Sequence, residues 1–174
     1  MFSNSSSGLV LENSLQCYFF DQLNELNKKS LRPLSNEAIF YSSLVMDRFG
    51  VVHQLFEEKE GKYTNKSLGI KLMETVHLSK ERRKRELKDI GDTALFVSGF
   101  FSDSLNGKII DVRYYQEIGQ AAYSKLNSLV PSFYDVDSFY VEFSKSFSNM
   151  AFLIELLAKE YSSKNKSKDL LLIA

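Results

Sequence analysis

Residues 91–101 read GDTALFVSGFF, and the rest of the chain is read differently if this is a catalytic turn, a ligand loop or the buried middle of a fold. Wound as a helix, Thr93 to Leu105 is apolar around most of its circumference, the pattern of an element enclosed by others. Gly91 punctuates the charged run before it, and Asp92 stands where an N-cap belongs. The expected element is a central helix capped by Asp92, whose Ser98-Gly99 pair admits a crossing helix, the one carrying Tyr115, Gly119 and Ala122.

Upstream, Leu11, Leu15, Phe19, Leu23 and Leu26 recur at three- and four-residue steps and predict a first helix. A second begins after Pro33: Ser35 can cap, Glu37 suits the positive first turn, Leu34 and Ile39 have staple spacing, and Gly50 ends the element. Over about 65–90, Ile70, Met73, Val76 and His77 keep helical spacing and run into SKERRKRELKD, predicting one long helix with an exposed charged extension. Downstream, NGK at 106–108 closes the central element and Asp111 starts the next, with Val112, Tyr115, Ile118, Ala122 and Leu126 inward. Residues 132–147 fit strand alternation as well as helix, and Phe139, Phe143 and Phe147 at four-residue steps favour helix. A last helix over about 149–161 is expected to bury Phe152, Leu153, Leu156 and Leu157.

Eight glycines and two prolines in 174 residues are too few for a turn-rich β architecture. The expected fold is therefore all-α, a single compact domain of about six or seven helices around a central apolar one. Its parts are a flexible leader over 1–8, a helical domain over 9–161, and a polar linker with an apolar end over 162–174.

Lys+Arg and Asp+Glu both number 22, so no net field attracts nucleic acid or an anionic membrane. Cys17, the single cysteine, allows no intrachain disulfide and reads as a small buried hydrophobe. The start lacks a basic n-region with a continuous apolar run, and MAFLIELLAKE is too short and too charged to span a bilayer. Those features favour a cytoplasmic protein with no membrane insertion.

Each chemical motif falls short of a signature. Glu74-Thr75-Val76-His77 places a carboxylate and an imidazole one helical turn apart, but Gly50 stands three residues before His53, so the second such unit of a di-metal bundle is absent. No metal or cofactor is expected. Ser98 lies in FVSGFF, where Phe96 and Phe100 occupy the places a nucleophile elbow gives to glycine. In KERRKRELK, Glu81 with Arg85, Arg82 with Glu86 and Arg85 with Asp89 stand four apart and neutralise one another, leaving Lys80, Lys84 and Lys88 as a basic edge. Nucleic acid is disfavoured accordingly.

GDTALFVSGFFSDSL followed by IIDVRYYQEIGQAAYSKL resembles the central block of an uncharacterised family of small helical bacterial proteins, in which G-D-[TS]-x-L-[FY]-V-S-G-F-F pairs with D-V-x-Y-Y-x-x-x-G-x-x-A-Y. The resemblance covers about residues 90–126, implies no activity to carry over, and does not extend to KSKDLLLIA. The leading expectation is a non-enzymatic protein acting through protein–protein interaction, including self-association as a homodimer, with Lys80, Lys84, Lys88, Leu170, Leu171, Leu172 and Ile173 as its surface. The alternative is a small-molecule domain whose aromatic pocket draws on Asp92, Phe96, Phe100, Arg113, Tyr114, Tyr115 and Tyr123.

Overall fold

The computed structural model describes residues 14–58, 67–130 and 138–171, with side chains described outside 51–58 and 164–171. Seven α-helices and one 3-10 turn make up these residues, with no strand among them. The fold is all-α, as the spacing predicts.

Helix α1, Leu15–Lys28, starts where the Ser14 hydroxyl accepts from the Cys17 N–H, and it buries Leu23 fully. Its last turn is tied to the next element by Asn27, which accepts from the Leu34 N–H at 2.8 Å and donates to the Leu34 carbonyl at 3.0 Å. Helix α2, Asn36–Glu58, begins at the Ser35 cap and buries Ile39, Val45 and Met46. Gly50 does not end it. A glycine inside a helix costs about 1 kcal/mol relative to alanine, and here a Cβ would come 3.1 Å from Leu15 and 3.4 Å from Phe19 of α1.

The break expected at Gly91 lies instead at Leu78–Ser79. Helix α3, Leu68–Glu74, passes into a 3-10 turn over Thr75–His77, Leu78 and Ser79 are extended, and α4 then runs unbroken from Lys80 to Phe100. Asp92 is therefore not an N-cap but a buried residue in mid-helix, and Gly91 beside it takes the edge of the Tyr123 ring against its bare Cα. Only the tertiary partner explains why a glycine-aspartate pair stays helical. The stripe Ile70, Met73 and Val76 is likewise corrected: all three are exposed, and α3 and its turn bury Leu72 and Thr75 instead.

After the short α5, Ser102–Leu105, Gly107 takes φ 76°, which favours glycine, and Asp111 caps α6, Val112–Asn127, by accepting from the Tyr114 N–H at 3.0 Å. Helix α7 is one element, Phe139–Leu171, where two helices and a linker are expected. It buries Phe143, Phe147, Met150, Ile154 and Leu157, while Phe152 faces solvent because it falls on the opposite side of the same periodicity. Cys17 is also exposed rather than buried.

Helix α4 sits at the centre, packed by α6 and α7, with α3 on its flank, while α1 and α2 pair and close against α7 and α4. The crossing helix at Gly99 is α7, not α6: a Cβ there would stand 2.7 Å from Ile154 and 2.9 Å from the Ala151 carbonyl. Gly119 of α6 does approach α4, but it also receives the Phe147 ring of α7. Three helices thus meet at positions that have no side chain to spare.

Candidate functional site

Asp92 is 1% exposed at the centre of α4 and is surrounded by donors from three helices. Its Oδ1 accepts from the Tyr41 hydroxyl at 2.5 Å and the Tyr123 hydroxyl at 2.8 Å. Its Oδ2 accepts from Lys88 Nζ at 2.7 Å and Arg48 Nη1 at 3.4 Å. An ionised carboxylate offers about four acceptor sites, so these four donors saturate it. The buried charge is compensated and holds no vacant position for a substrate or a metal.

The surrounding groups are held with it. Arg48 also pairs with Asp89 and lies over the Phe49 ring, and Lys88 Nζ lies 5.1 Å from the centre of the Tyr41 ring. The Tyr123 ring stacks on Tyr140, and the Tyr41 ring packs 5.0 Å from Phe143 and 5.1 Å from Phe139. Burial, and then the Asp92 charge, push the Tyr41 and Tyr123 hydroxyls well above the usual phenol range, with a smaller rise at Tyr140. Phenols so placed stay protonated and donate; they are not acids for catalysis near neutral pH.

Tyr41 has a second face. While its hydroxyl points inward to Asp92, its ring helps form the floor of a groove also lined by Phe20, Asn36, Glu37, Phe40, Leu44 and Phe139. The groove has a volume of about 490 Å³, opens widely to solvent, and is almost wholly apolar. Phe40 and Leu44 on its wall are 51% and 43% exposed, which is unusual for two large side chains one turn apart on a helix packed into a core. The Tyr41 ring at this groove is anchored on its inner side by the hydrogen bond of its hydroxyl to Asp92.

The other sequence-predicted residues lie elsewhere. Of the seven aromatic-pocket residues, Asp92 and Tyr123 come together, but Phe96 stacks on Phe49 and on Phe100 toward the far end of α4. Arg113 is exposed on the first turn of α6, and Tyr114 accepts from the Gly69 N–H at 3.0 Å. Tyr115 packs edge-on to Tyr114. The seven do not line one cavity. Of the basic edge, Lys80 is exposed, Lys84 pairs with Glu81 at 3.1 Å, and Lys88 turns inward to Asp92. Asp89 likewise takes Arg48 rather than Arg85.

Glu74 and His77 are exposed, the His53 side chain lies outside the described ones, and no three His, Cys, Asp or Glu residues converge on a metal position among the described residues. Ser98 is buried and donates to the Leu95 carbonyl. Leu172 and Ile173 lie outside the described residues, as do the side chains of Leu170 and Leu171. No helix among the described residues is long and apolar enough to cross a membrane.

Sequence reasoning missed Tyr41 and Arg48, which stand 51 and 44 residues before Asp92. One signal for the cluster was legible, the four-residue spacing of Lys88 and Asp92 on a single helix. Compared with known proteins, the chain matches no family model, no curated protein and no solved structure.

Proposed function

We propose that this is a non-enzymatic helical protein that works through protein–protein interaction, that the working surface is the groove between α1 and α2, and that the interaction is self-association. The observation that carries the reading is the groove itself: an apolar, open cleft with exposed Phe40 and Leu44, built on a floor held by a buried ion cluster. Open apolar clefts of this kind receive an amphipathic or apolar segment more readily than a small polar molecule, which needs enclosure and convergent polar groups. The Asp92 cluster supports the same reading, since every donor and acceptor in it already has a partner within the chain.

Light scattering over a range of protein concentration tests it. The expected result is a particle of twice the 20.0 kDa chain mass, reduced to the single-chain mass by Leu44→Glu with helix content unchanged. A native chain that stays at single-chain mass, or a Leu44→Glu variant that still associates, overturns the reading.

A further inference from the structure

The groove is apolar on its walls but not neutral at its edge. Glu37 lines it, and no ion pair forms at Glu37 among the described residues. A matching segment therefore carries large apolar side chains next to positive charge. The longest uninterrupted apolar run behind a cluster of lysines lies in SSKNKSKDLLLIA, where Lys164, Lys166 and Lys168 precede Leu170, Leu171, Leu172 and Ile173.

The geometry of α7 decides which copy of that segment can reach the groove. Phe139, the first residue of α7, forms part of the groove, and the same helix continues to Leu171. At 1.5 Å per residue, Leu170 stands about 46 Å along the axis from Phe139. Among the described side chains of α7 the last buried one is Ala158, Lys159 bridges to Glu155 and Asp103, and residues 160–163 are exposed. From Ala158 to Leu171 the helix axis advances about 20 Å. Extended chain over Leu172 and Ile173 recovers only about 7 Å of that span. A molecule cannot fill its own groove with its own Leu170–Ile173 while α7 is intact.

We propose that residues 170–173 of α7 dock in the α1–α2 groove of a second copy, reciprocally, so that each chain gives one segment and receives one. Lys168 then stands nearest the acidic edge at Glu37, with Lys164 one helical turn behind it on the same face. This rests on the self-association reading above and adds the segment that fills the groove. A segment-into-groove contact is heterologous, and two of them related by a two-fold axis close the assembly at a dimer.

Two variants and their mixture test it by light scattering, with circular dichroism confirming that each remains helical. Deletion of residues 169–174 removes the segment and keeps the groove; Leu44→Glu spoils the groove and keeps the segment. Each alone is expected at single-chain mass. Mixed in equal amounts they are expected to recover a particle of twice that mass, because one intact segment meets one intact groove. A deletion variant that still dimerises while Leu44→Glu does not overturns the segment and leaves groove-mediated association standing. A Leu44→Glu variant that dimerises overturns both. Two single-chain variants whose mixture stays at single-chain mass overturn the segment-to-groove pairing. As a second readout, a labelled peptide of residues 162–174 is expected to bind the deletion variant and to lose at least tenfold in affinity with Glu37→Lys or Leu44→Glu. Equal binding to all three overturns the proposal.

Discussion

At the scale of single residues, Asp92 is the position on which most depends. Removing it leaves the buried Tyr41 and Tyr123 hydroxyls without their acceptor, while Lys88 and Arg48 can turn to solvent, so Asp92→Ala is expected to cost about 2–4 kcal/mol, mostly through the two unsatisfied hydroxyls. Lys88 is nearly half exposed, and Lys88→Met is expected to cost under about 1 kcal/mol. Urea midpoints with an unchanged slope measure both, and equal losses would show that Asp92 is no more central than its surface partner. The tyrosines add a pH dependence. Their folded hydroxyls are raised above the ordinary value of 10.0, so above that pH the unfolded chain releases protons that the folded chain keeps. Stability present in full below about pH 10 therefore falls as pH rises further. Tyr123→Phe is expected to lower stability by about 1.5–3 kcal/mol at pH 7 through the lost bond to a charged group, and to flatten the alkaline decline. An alkaline limb identical to the native one would remove Tyr123 as its source.

At the scale of elements, glycines report which helix meets which. Gly99→Ala forces a Cβ against the Ala151 carbonyl and Ile154, and Gly119→Ala forces one into the Phe147 ring, so each is expected to destabilise by about 1–3 kcal/mol despite better helix propensity. Gly50→Ala meets only the far ends of Leu15 and Phe19, at 3.1 and 3.4 Å, and is expected to be neutral or to stabilise by up to about 1 kcal/mol. Melting temperatures of the three variants check the contrast; a loss at Gly50 as large as at Gly99 would mean that α2 bends there. All three glycines look alike in the sequence. Their roles differ because one faces backbone, one faces a ring held in the core, and one faces side chains that can move aside.

At the scale of the whole molecule, the proposed self-association predicts a melting temperature that rises with protein concentration, and a tenfold dilution series without any shift would be inconsistent with a dimer coupled to folding. Zero net charge and the pairing of Lys84 with Glu81 and Lys88 with Asp92 predict no tight complex with duplex DNA at about 150 mM salt. Submicromolar binding abolished by Lys80→Glu would reverse that expectation. What the sequence determined by itself is the all-α class, the Phe19, Leu23 and Leu26 part of the α1 stripe, and the periodic faces of α6 and the first half of α7, because a 3.6-residue stripe is a property of neighbours in the chain. The Asp111 and Ser35 caps were legible for the same reason, since each bonds a backbone N–H only three residues on. Only the tertiary structure decided that Gly91-Asp92 continues a helix, that Ile70, Met73 and Val76 turn outward, and that Gly99 receives α7. Each depends on a partner far along the chain: Tyr123 against Gly91, Tyr41 and Arg48 on Asp92, Ile154 against Gly99. A capping aspartate and a buried one read identically until the donors that surround it are brought together, because the energy that settles the matter is that of desolvating the charge, and the sequence does not state who compensates it.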